Sequence, residues 1–248
     1  MKESQKESQK VYGIRAVIEA IRSKAEIEKV FIQSSLQGTL LQELKQELKN
    51  KNIAVQYVPV EKLNRLTKNN HQGVVATISQ IEYADFEEVV TKVIEKGEKP
   101  FLLMLDRITD VRNLGAICRS AECAGVNAVI IPQHGSAQIN EDAIKTSSGA
   151  LLRLPICRQA NLKTTINLAK ELGIKVFAAT EKAGEIYTNS NMKESIMIVM
   201  GAEDSGVSPE IIKLCDFKIK IPIKANIESL NVSVAAGILM YEVLRQRS

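Results

Sequence analysis

The fold is decided at the stretch Ile221-Pro222-Ile223-Lys224-Ala225-Asn226-Ile227-Glu228-Ser229-Leu230-Asn231-Val232-Ser233-Val234-Ala235-Ala236-Gly237, where an apolar strand gives way to a polar loop and then to a helix. Apolar residues alternate up to Ile221, which predicts a strand, and Pro222 closes that strand because it has no N–H to donate. Ser229 or Asn231 is a suitable N-cap for the helix, since a short side-chain oxygen can accept a bond from a free backbone N–H.

The helix that follows has apolar residues three or four positions apart, which predicts an amphipathic helix: Leu230, Val234, Ile238 and Tyr241 or Leu244. Loop backbone, free N–H groups, a hydroxyl and an amide meet where this helix begins. Such a helix start can hold a polar ligand, although an ordinary strand-to-helix junction has the same composition.

Two further stretches also place glycine and polar residues directly after an apolar strand. The first runs from Asp106 to Ala121 and the second from Ile198 to Val207. Ligands of α/β proteins bind at the carboxyl ends of the strands. Three polar strand ends in one domain therefore predict one shared site.

The motifs Asn113-x-Gly115-x-x-x-Arg119, Gly201-x-Glu203-x-x-Gly206 and Ser229-Leu230-Asn231-Val232-Ser233 resemble the three motifs of the SpoU (TrmH-like) RNA ribose methyltransferases, in the same order. The segment from Val11 to Ser79 is similar to the small substrate-binding domain of the RlmB-type branch. The resemblance covers nearly the whole chain. Two departures are a Val111-Arg112 pair where many members have proline, and the run Lys224 to Glu228 where a small or glycine-containing run is usual.

Strands alternate with helices along the chain, which predicts an α/β protein with a mainly parallel sheet. The resemblance adds a C-terminal SPOUT methyltransferase domain with a trefoil knot, behind a small N-terminal α/β substrate-binding domain. The expected organisation is a disordered tail over 1–10, an RNA substrate-binding domain over 11–80, a partly helical linker over 81–98 and the catalytic domain over 99–248. Apolar spacing predicts that the first helix begins near Val11.

The resemblance implies methyl transfer from S-adenosylmethionine to a ribose 2′-hydroxyl, and Arg119 carries the acceptor chemistry. Family proposals make this arginine a base or an electrostatic anchor. We favour a charged Arg119, because free arginine has a pKa above about 12. Asn113 would orient Arg119 or a ribose hydroxyl, and Glu203 would fix Arg119 or bind ribose. Ser229 and Asn231 would complete the catalytic cluster.

Matching positions in the family's pattern assign donor binding to Gly201, Ile221 and Leu230, with Thr180 and Glu181 as further candidates. Gly201 would allow close backbone approach to a ligand. No Gly-x-Gly-x-x-Gly and no Walker loop follows any strand, so a Rossmann-type nucleotide site is not expected.

Composition restricts the partners and the compartment. The net charge of +4 permits an RNA partner, while ten Phe and Tyr residues without Trp argue against a surface of stacked aromatic rings. Four cysteines without a C-x-x-C pair and two histidines predict no metal site. The absence of a signal peptide and of an apolar run long enough to span a bilayer predicts a cytoplasmic protein without a membrane partner.

The resulting prediction is a methyltransferase that modifies a ribose in structured RNA, and the favoured substrate is a guanosine of large-subunit rRNA. Transfer RNA is the alternative substrate, and a catalytically silent RNA-binding protein of the same fold is the alternative function. The family works as a homodimer through the catalytic domain, with an arginine of the partner entering the site, so a homodimer is expected here.

Overall fold

The computed structural model describes residues 10–23, 25–224 and 229–248. The chain divides into two compact units, residues 1–82 and 83–248. Two expectations fall on other positions: the disordered tail, of which only Lys10 is described, and the loop shape over 225–228. Residues 1–9 and 225–228 lie outside the described residues.

The described part of the first unit is a four-stranded sheet with helices on both faces. Its elements are β1 (Lys10–Tyr12), α1 (Ile14–Arg22), β2 (Ile27–Gln33), α2 (Thr39–Asn50), β3 (Val55–Val58), α3 (Val60–Leu66) and β4 (Val74–Ile78). The strand order is β1-β4-β2-β3, with β2 and β3 parallel and the other pairs antiparallel. Helices α1 and α2 pack on one face, and the short α3 packs on the other.

The first helix begins at Ile14, three residues later than the apolar spacing predicts. Val11 instead pairs with Ala76 in the β1–β4 ladder. Gly13 separates strand from helix with a positive φ of 89°, a conformation that glycine adopts without steric cost. The prediction of a helix from Val11 is therefore wrong, because an apolar residue of a short strand happened to continue the helical spacing.

The described part of the second unit is built on a seven-stranded parallel sheet. Its elements are α4 (Phe86–Glu95), β5 (Phe101–Asp106), α5 (Val111–Cys123), β6 (Ala128–Pro132), α6 (Glu141–Thr146), β7 (Ile156–Gln159), α7 (Leu162–Glu171), β8 (Lys175–Ala179), β9 (Glu185–Ile186), β10 (Ile196–Gly201), α8 (Pro209–Leu214), β11 (Phe217–Lys220) and α9 (Val232–Arg247). The central strands β5 and β10 are buried along their whole length, as expected for a parallel sheet covered on both faces.

The strand order β7-β6-β5-β10-β8-β11-β9 has its switch point between β5 and β10. From β5 the chain continues outward to β6 and β7, whereas β10 lies on the other side of β5. A crevice forms at the carboxyl ends of the strands where such an order reverses. The first two motifs follow β5 and β10, and the sheet therefore places them side by side.

The segment 81–98, predicted as a partly helical linker, contains the ten-residue helix α4. Phe86 and Val90 of this helix are buried in the core of the second unit. Asp85 caps it by accepting a bond from the Glu88 N–H at 3.0 Å. The charged residues Glu87, Glu88 and Lys92 lie on the exposed side of this helix, and the helix belongs to the second unit.

Helix α9 is apolar on two sides. One side is buried and comprises Val232, Ala236, Leu239, Met240 and Val243. The predicted apolar stripe lies elsewhere on the helix and is largely exposed: Val234 is 51%, Tyr241 50% and Leu244 38% accessible. We call Val234, Tyr241 and Leu244 the α9 stripe. The sequence pattern found this stripe but could not tell that another side faces the core.

The trefoil knot stays a prediction, because the loop that leads into α9 includes residues 225–228. No helix in the described part of the chain is long and apolar enough to cross a membrane.

Candidate functional site

The three motifs meet at the carboxyl edge of the second sheet. Gly201, the last residue of β10, pairs in register with Asp106, the last residue of β5. Strand β11 lies two strands from β10, on the far side of β8. The loops after β5, β10 and β11 therefore converge, and side chains from all three make direct contact.

Asn113, Glu203 and Asn231 form a closed hydrogen-bond network, one residue from each motif. The amide nitrogens of Asn231 and Asn113 both donate to Oε1 of Glu203, at 2.7 and 3.0 Å. Asn231 Nδ2 also donates to Oδ1 of Asn113 at 3.1 Å. Asn113 lies 90 positions before Glu203 and 118 positions before Asn231 in the chain, and side-chain hydrogen bonds join it to both.

Asn231 is oriented by a second task, because it is the N-cap of α9. Its Oδ1 accepts from the Ser233 N–H at 2.9 Å and from the Ser233 hydroxyl at 2.5 Å. With the oxygen directed at the helix, the amide nitrogen of the same group points at Glu203. The structure thereby decides between the two predicted caps in favour of Asn231 over Ser229.

The carboxylate of Glu203 keeps one oxygen available. Both network bonds end on Oε1, and within the described residues Oε2 has no hydrogen-bond partner. Glu203 is exposed. Two amide donors fix the direction of the carboxylate, and its free oxygen can accept a bond from a hydroxyl or a guanidinium group.

Arg119 lies apart from this network in the single chain. Helix α5 begins at Val111, so Asn113 and Arg119 lie on the same helix. Six helical positions correspond to about 9 Å of rise and to directions about 120° apart. Arg119 is exposed and makes no hydrogen bond or ion pair with any residue that the structure describes. The partners predicted to orient it, Asn113 and Glu203, bond to each other and to Asn231 instead.

A cavity of about 300 Å³ adjoins the network. Its wall includes all five predicted donor-binding residues and two of the predicted catalytic ones: Thr180, Glu181, Gly201, Ile221, Leu230, Glu203 and Ser229. Apolar residues such as Met200, Ile219 and Leu239 complete it. Asn113, Asn231 and Arg119 are not part of the wall, so Glu203 alone belongs to both the cavity and the network.

Gly201 is required by the loop that follows it. A Cβ added there would lie 2.0 Å from the backbone carbon of Gly206 and from the nitrogen of Val207. The loop folds back over β10, and the Gly206 N–H donates to the Ala202 carbonyl at 2.8 Å. The sequence predicts close approach of a ligand at Gly201, whereas the structure shows close approach of the chain itself.

Gly115 in the first motif has a comparable structural explanation. Any side chain at this position would place its Cβ 2.7 Å from Cβ of Thr146 and 2.8 Å from the Ala143 carbonyl oxygen. The glycine thus lets α5 pack closely on α6. Gly115 is not part of the cavity wall.

Sequence reasoning missed two residues that hold the loop after β10. Asp106 is only 4% exposed and accepts a bond from the Ser208 N–H at 2.7 Å. Arg107 donates from Nη2 to the Gly206 carbonyl at 3.0 Å. The available signal was a charged pair directly after the wholly apolar run 101–105.

The cavity wall also carries Asp204, which the sequence did not single out. The pKa of Asp204 lies below its usual value, chiefly because the Ser205 hydroxyl donates to the carboxylate at 3.0 Å. Across the described residues, no group of three or more His, Cys, Asp and Glu could hold a metal ion.

Two family models match the chain. Residues 100–241 match the SpoU rRNA Methylase family, and residues 10–84 match the family described as RNA 2'-O ribose methyltransferase substrate binding. These matches cover the second and the first unit in turn.

Curated relatives are similar over almost the full length. YacO of Bacillus subtilis (strain 168), assigned to the TrmH family of tRNA/rRNA methyltransferases, is 36% identical over 96% of both chains. A protein of Staphylococcus aureus (strain MSSA476) with the same family assignment is 39% identical over 96% of both chains.

Solved structures share the fold. The SpoU methyltransferase AviRb from Streptomyces viridochromogenes, determined in complex with AdoMet, matches with a TM-score of 0.62 and 21% identity. The match covers 96% of this chain and 89% of AviRb.

Proposed function

The chain belongs to the SpoU family of RNA methyltransferases, and we propose that it transfers a methyl group from S-adenosylmethionine to a ribose 2′-hydroxyl of a structured RNA. The observation that carries the proposal is the position of Glu203. This carboxylate belongs both to the three-motif network and to the wall of the cavity. A donor in the cavity and an acceptor hydroxyl at the network would therefore meet at one residue.

The cavity suits a nucleoside-like donor. Its volume of about 300 Å³ is at the lower end of small-molecule sites, which start near 300 Å³. Apolar side chains such as Ile219, Ile221 and Leu239 can face a base, and the polar groups of Thr180 and Glu181 can face a ribose. Gly201, Leu230 and Ser229 complete the residues that would hold the donor. Related structures from other organisms contain AdoMet, which supports this choice of donor.

The bound donor supplies an electrophilic methyl group on a sulfonium, which is already a good leaving group. The protein must orient the acceptor hydroxyl and stabilise the charge that develops on its oxygen. Oε2 of Glu203 would accept the hydrogen bond of that hydroxyl and then its proton, as the hydroxyl oxygen takes the methyl group, while Asn113 and Asn231 hold the carboxylate in direction. Arg119, a charged anchor, would bind the neighbouring phosphate of the RNA and steady the developing oxyanion.

Within RNA, the proposed target is a guanosine of large-subunit rRNA. Its support is the resemblance of the segment from Val11 to Ser79 to the substrate-binding domain of the RlmB-type branch, while the family match of residues 10–84 supports an RNA substrate in general. Transfer RNA is the second candidate, because the family names of the relatives include both tRNA and rRNA. An RNA-binding protein without activity is disfavoured by the complete Asn113–Glu203–Asn231 network.

We also propose a homodimer through the second unit. The α9 stripe leaves three large apolar side chains exposed on a helix that packs beside α5. Covering the stripe with a second copy would remove this apolar surface from water. The same contact would bring the α5 helix of one copy, with Arg119, toward the site of the other, where Arg119 would find the partners that it lacks within its own described chain.

The first experiment is methyl transfer from labelled S-adenosylmethionine to unmodified ribosomal or transfer RNA, followed by mapping of 2′-O-methyl groups. Label at one nucleotide of large-subunit rRNA is the expected result. Label only in transfer RNA would change the substrate and keep the reaction. Absence of both donor binding and label would favour the inactive RNA-binding protein.

A mixing experiment tests the dimer and the place of Arg119 together. Arg119→Ala should be inactive alone, and Asn231→Ala should keep about a tenth of the wild-type activity or less. If Arg119 acts across the dimer, co-expressed variants form mixed dimers with one intact site, and random pairing restores about a quarter of the wild-type sites. A mixture that stays inactive, although light scattering shows dimers, would place Arg119 in its own chain's site.

A further inference from the structure

We infer that Asp106 and Arg107 are positioning residues that hold the loop 202–207 in the shape needed to bind the methyl donor. This inference rests on the proposed function, because the loop forms part of the cavity assigned to the donor. Neither residue lines the cavity, and neither belongs to the predicted site. Together they are called the β5 clamp below.

The buried half of the clamp is Asp106. It ends β5 and pairs in register with Gly201, which ends β10 and begins the loop. Its carboxylate Oδ2 accepts from the Ser208 N–H at 2.7 Å, at the exit of the loop. A carboxylate that is 4% exposed is costly to bury unless its oxygens are bonded. The end of the loop is therefore tied to the same strand end as its beginning.

The exposed half of the clamp is Arg107. Its Nε donates to Oδ1 of Asp106 at 3.4 Å, and its Nη2 donates to the Gly206 carbonyl at 3.0 Å. The planar guanidinium thus bridges the buried carboxylate and the backbone of the loop. Arg107 also has a φ of 62°, a conformation that is uncommon outside glycine. The backbone of Arg107 accepts this conformation while its side chain reaches the loop.

Apart from the clamp, the loop is held by the two asparagine bonds to Glu203, by the bond from the Ser205 hydroxyl to Asp204 and by a backbone bond. Its internal backbone bond runs from the Gly206 N–H to the Ala202 carbonyl at 2.8 Å. Residues 203–205 are exposed. Yet residues 201–206 all line the cavity, and Glu203 must meet the two asparagine amides. A short, exposed loop that must keep one conformation to line the cavity and place Glu203 requires support from outside the loop, and the clamp contributes that support.

The clamp should act on donor affinity and not on the chemical step. If its loss lowers the fraction of chains with the correct loop shape to about a tenth, the apparent dissociation constant of the donor rises about tenfold. A saturating donor would select the correct shape, so kcat should stay within about twofold. The KM for RNA should not change.

The test compares Arg107→Ala with Arg22→Ala, a matched control. Arg22 also bridges two acceptors, Glu43 and Glu47, but it lies in the first unit. Two quantities are measured on the full-length chain: the dissociation constant of S-adenosylmethionine by calorimetry, and amide hydrogen exchange of peptides over 202–207 and over β5. Arg107→Ala should weaken donor binding about tenfold and accelerate exchange only in the loop.

Two further variants keep the test decisive if Arg107→Ala folds poorly. Arg107→Lys should recover part of the affinity, because an ammonium can reach one of the two acceptors but cannot bridge both. Asp106→Asn keeps an acceptor for Ser208 and loses the charge that holds Arg107, so it should resemble Arg107→Ala in direction.

Loop exchange and donor affinity equal to those of Arg22→Ala would overturn the inference. Exchange that accelerates equally in the loop and in β5 would also overturn it, because the two residues would then serve general stability. A wild-type chain that binds no donor would refute the proposed function. The role of the clamp in holding the loop would then be tested by amide hydrogen exchange of the loop alone.

Discussion

Replacing Asn231 separates its two tasks, because serine can cap a helix but cannot donate as the amide does. Asn231→Ser removes the 2.7 Å bond to Glu203 and leaves only the 3.0 Å bond from Asn113. A hydrogen bond to a charged group contributes roughly 1.5–3 kcal/mol. If Glu203 must be directed in the transition state, this loss corresponds to a decrease in kcat of about 10- to 150-fold. The lower end is expected, since Glu203 is exposed and water can replace part of the bond.

Stability should depend on the cap and not on the bond to Glu203, so it should distinguish a serine from an alanine at position 231. Serine and asparagine are about equal as N-caps, so Asn231→Ser should change the free energy of unfolding by less than about 0.5 kcal/mol. Asn231→Ala loses the cap as well, which costs about 1 kcal/mol. For a unit of this size that corresponds to a decrease in Tm of about 2–4 °C.

The assay pairs initial rates of methyl transfer at saturating donor and RNA with thermal unfolding of the same preparations. Both variants should lose activity to a similar extent, and only the alanine variant should melt early. Wild-type kcat in Asn231→Ser would refute the reasoning, because the amide donor would then have no role in directing Glu203. Equal melting temperatures for the serine and alanine variants would refute the capping argument.

Three further outcomes are expected. Gly201→Ala should weaken donor binding more than tenfold by calorimetry, because the added Cβ would lie 2.0 Å from backbone atoms of the loop. At Gly206 an added Cβ meets nothing within 4 Å. Gly206→Ala should therefore lower the free energy of unfolding only by the roughly 1–2 kcal/mol that a left-handed backbone conformation costs a residue other than glycine. Alkylation at pH 8 should modify exposed Cys123 first by mass spectrometry, since burial raises the pKa of the Cys118 thiol to about 12, and rapid labelling of Cys118 would contradict this. The pKa of Glu242 is lowered, chiefly by its hydrogen bond from Arg245, so the carboxylate stabilises the fold above the ordinary pKa of 4.5 and loses that effect as the pH falls through its lower folded value. Glu242→Gln should therefore melt below wild type at pH 7, and the difference should shrink under acid; a constant difference would contradict the assignment.

Local patterns carried much of the architecture. The wholly apolar run of β5 predicts a strand buried on both faces, and every residue of that strand is buried. Polar residues after β5, β10 and β11 predict a shared site, since strand ends of a parallel sheet share an edge, and Asn113, Glu203 and Asn231 do meet there. These inferences succeed because strand burial and loop composition are properties of neighbouring residues.

Other features depended on partners far away in the sequence. The many charged residues of 81–98 suggest a linker, but the apolar side of helix α4 in this segment packs in the core of the second unit. The stripe on α9 reads as a core face until a different side of the same helix is found buried. An apolar pattern indicates that a helix face favours burial, but it does not identify the surface that buries it.

The sequence by itself determined the family, the alternation of strands and helices, and the residue types assembled at the site. Only the tertiary structure decided that Asn113 and Asn231 direct Glu203, that Arg119 lies apart from them, and that Gly201 makes room for its own loop. The physical reason is that motifs specify local backbone conformation and side-chain chemistry. Which donor meets which acceptor depends on strand order and on helix rotation, and both are set by packing across the whole sheet.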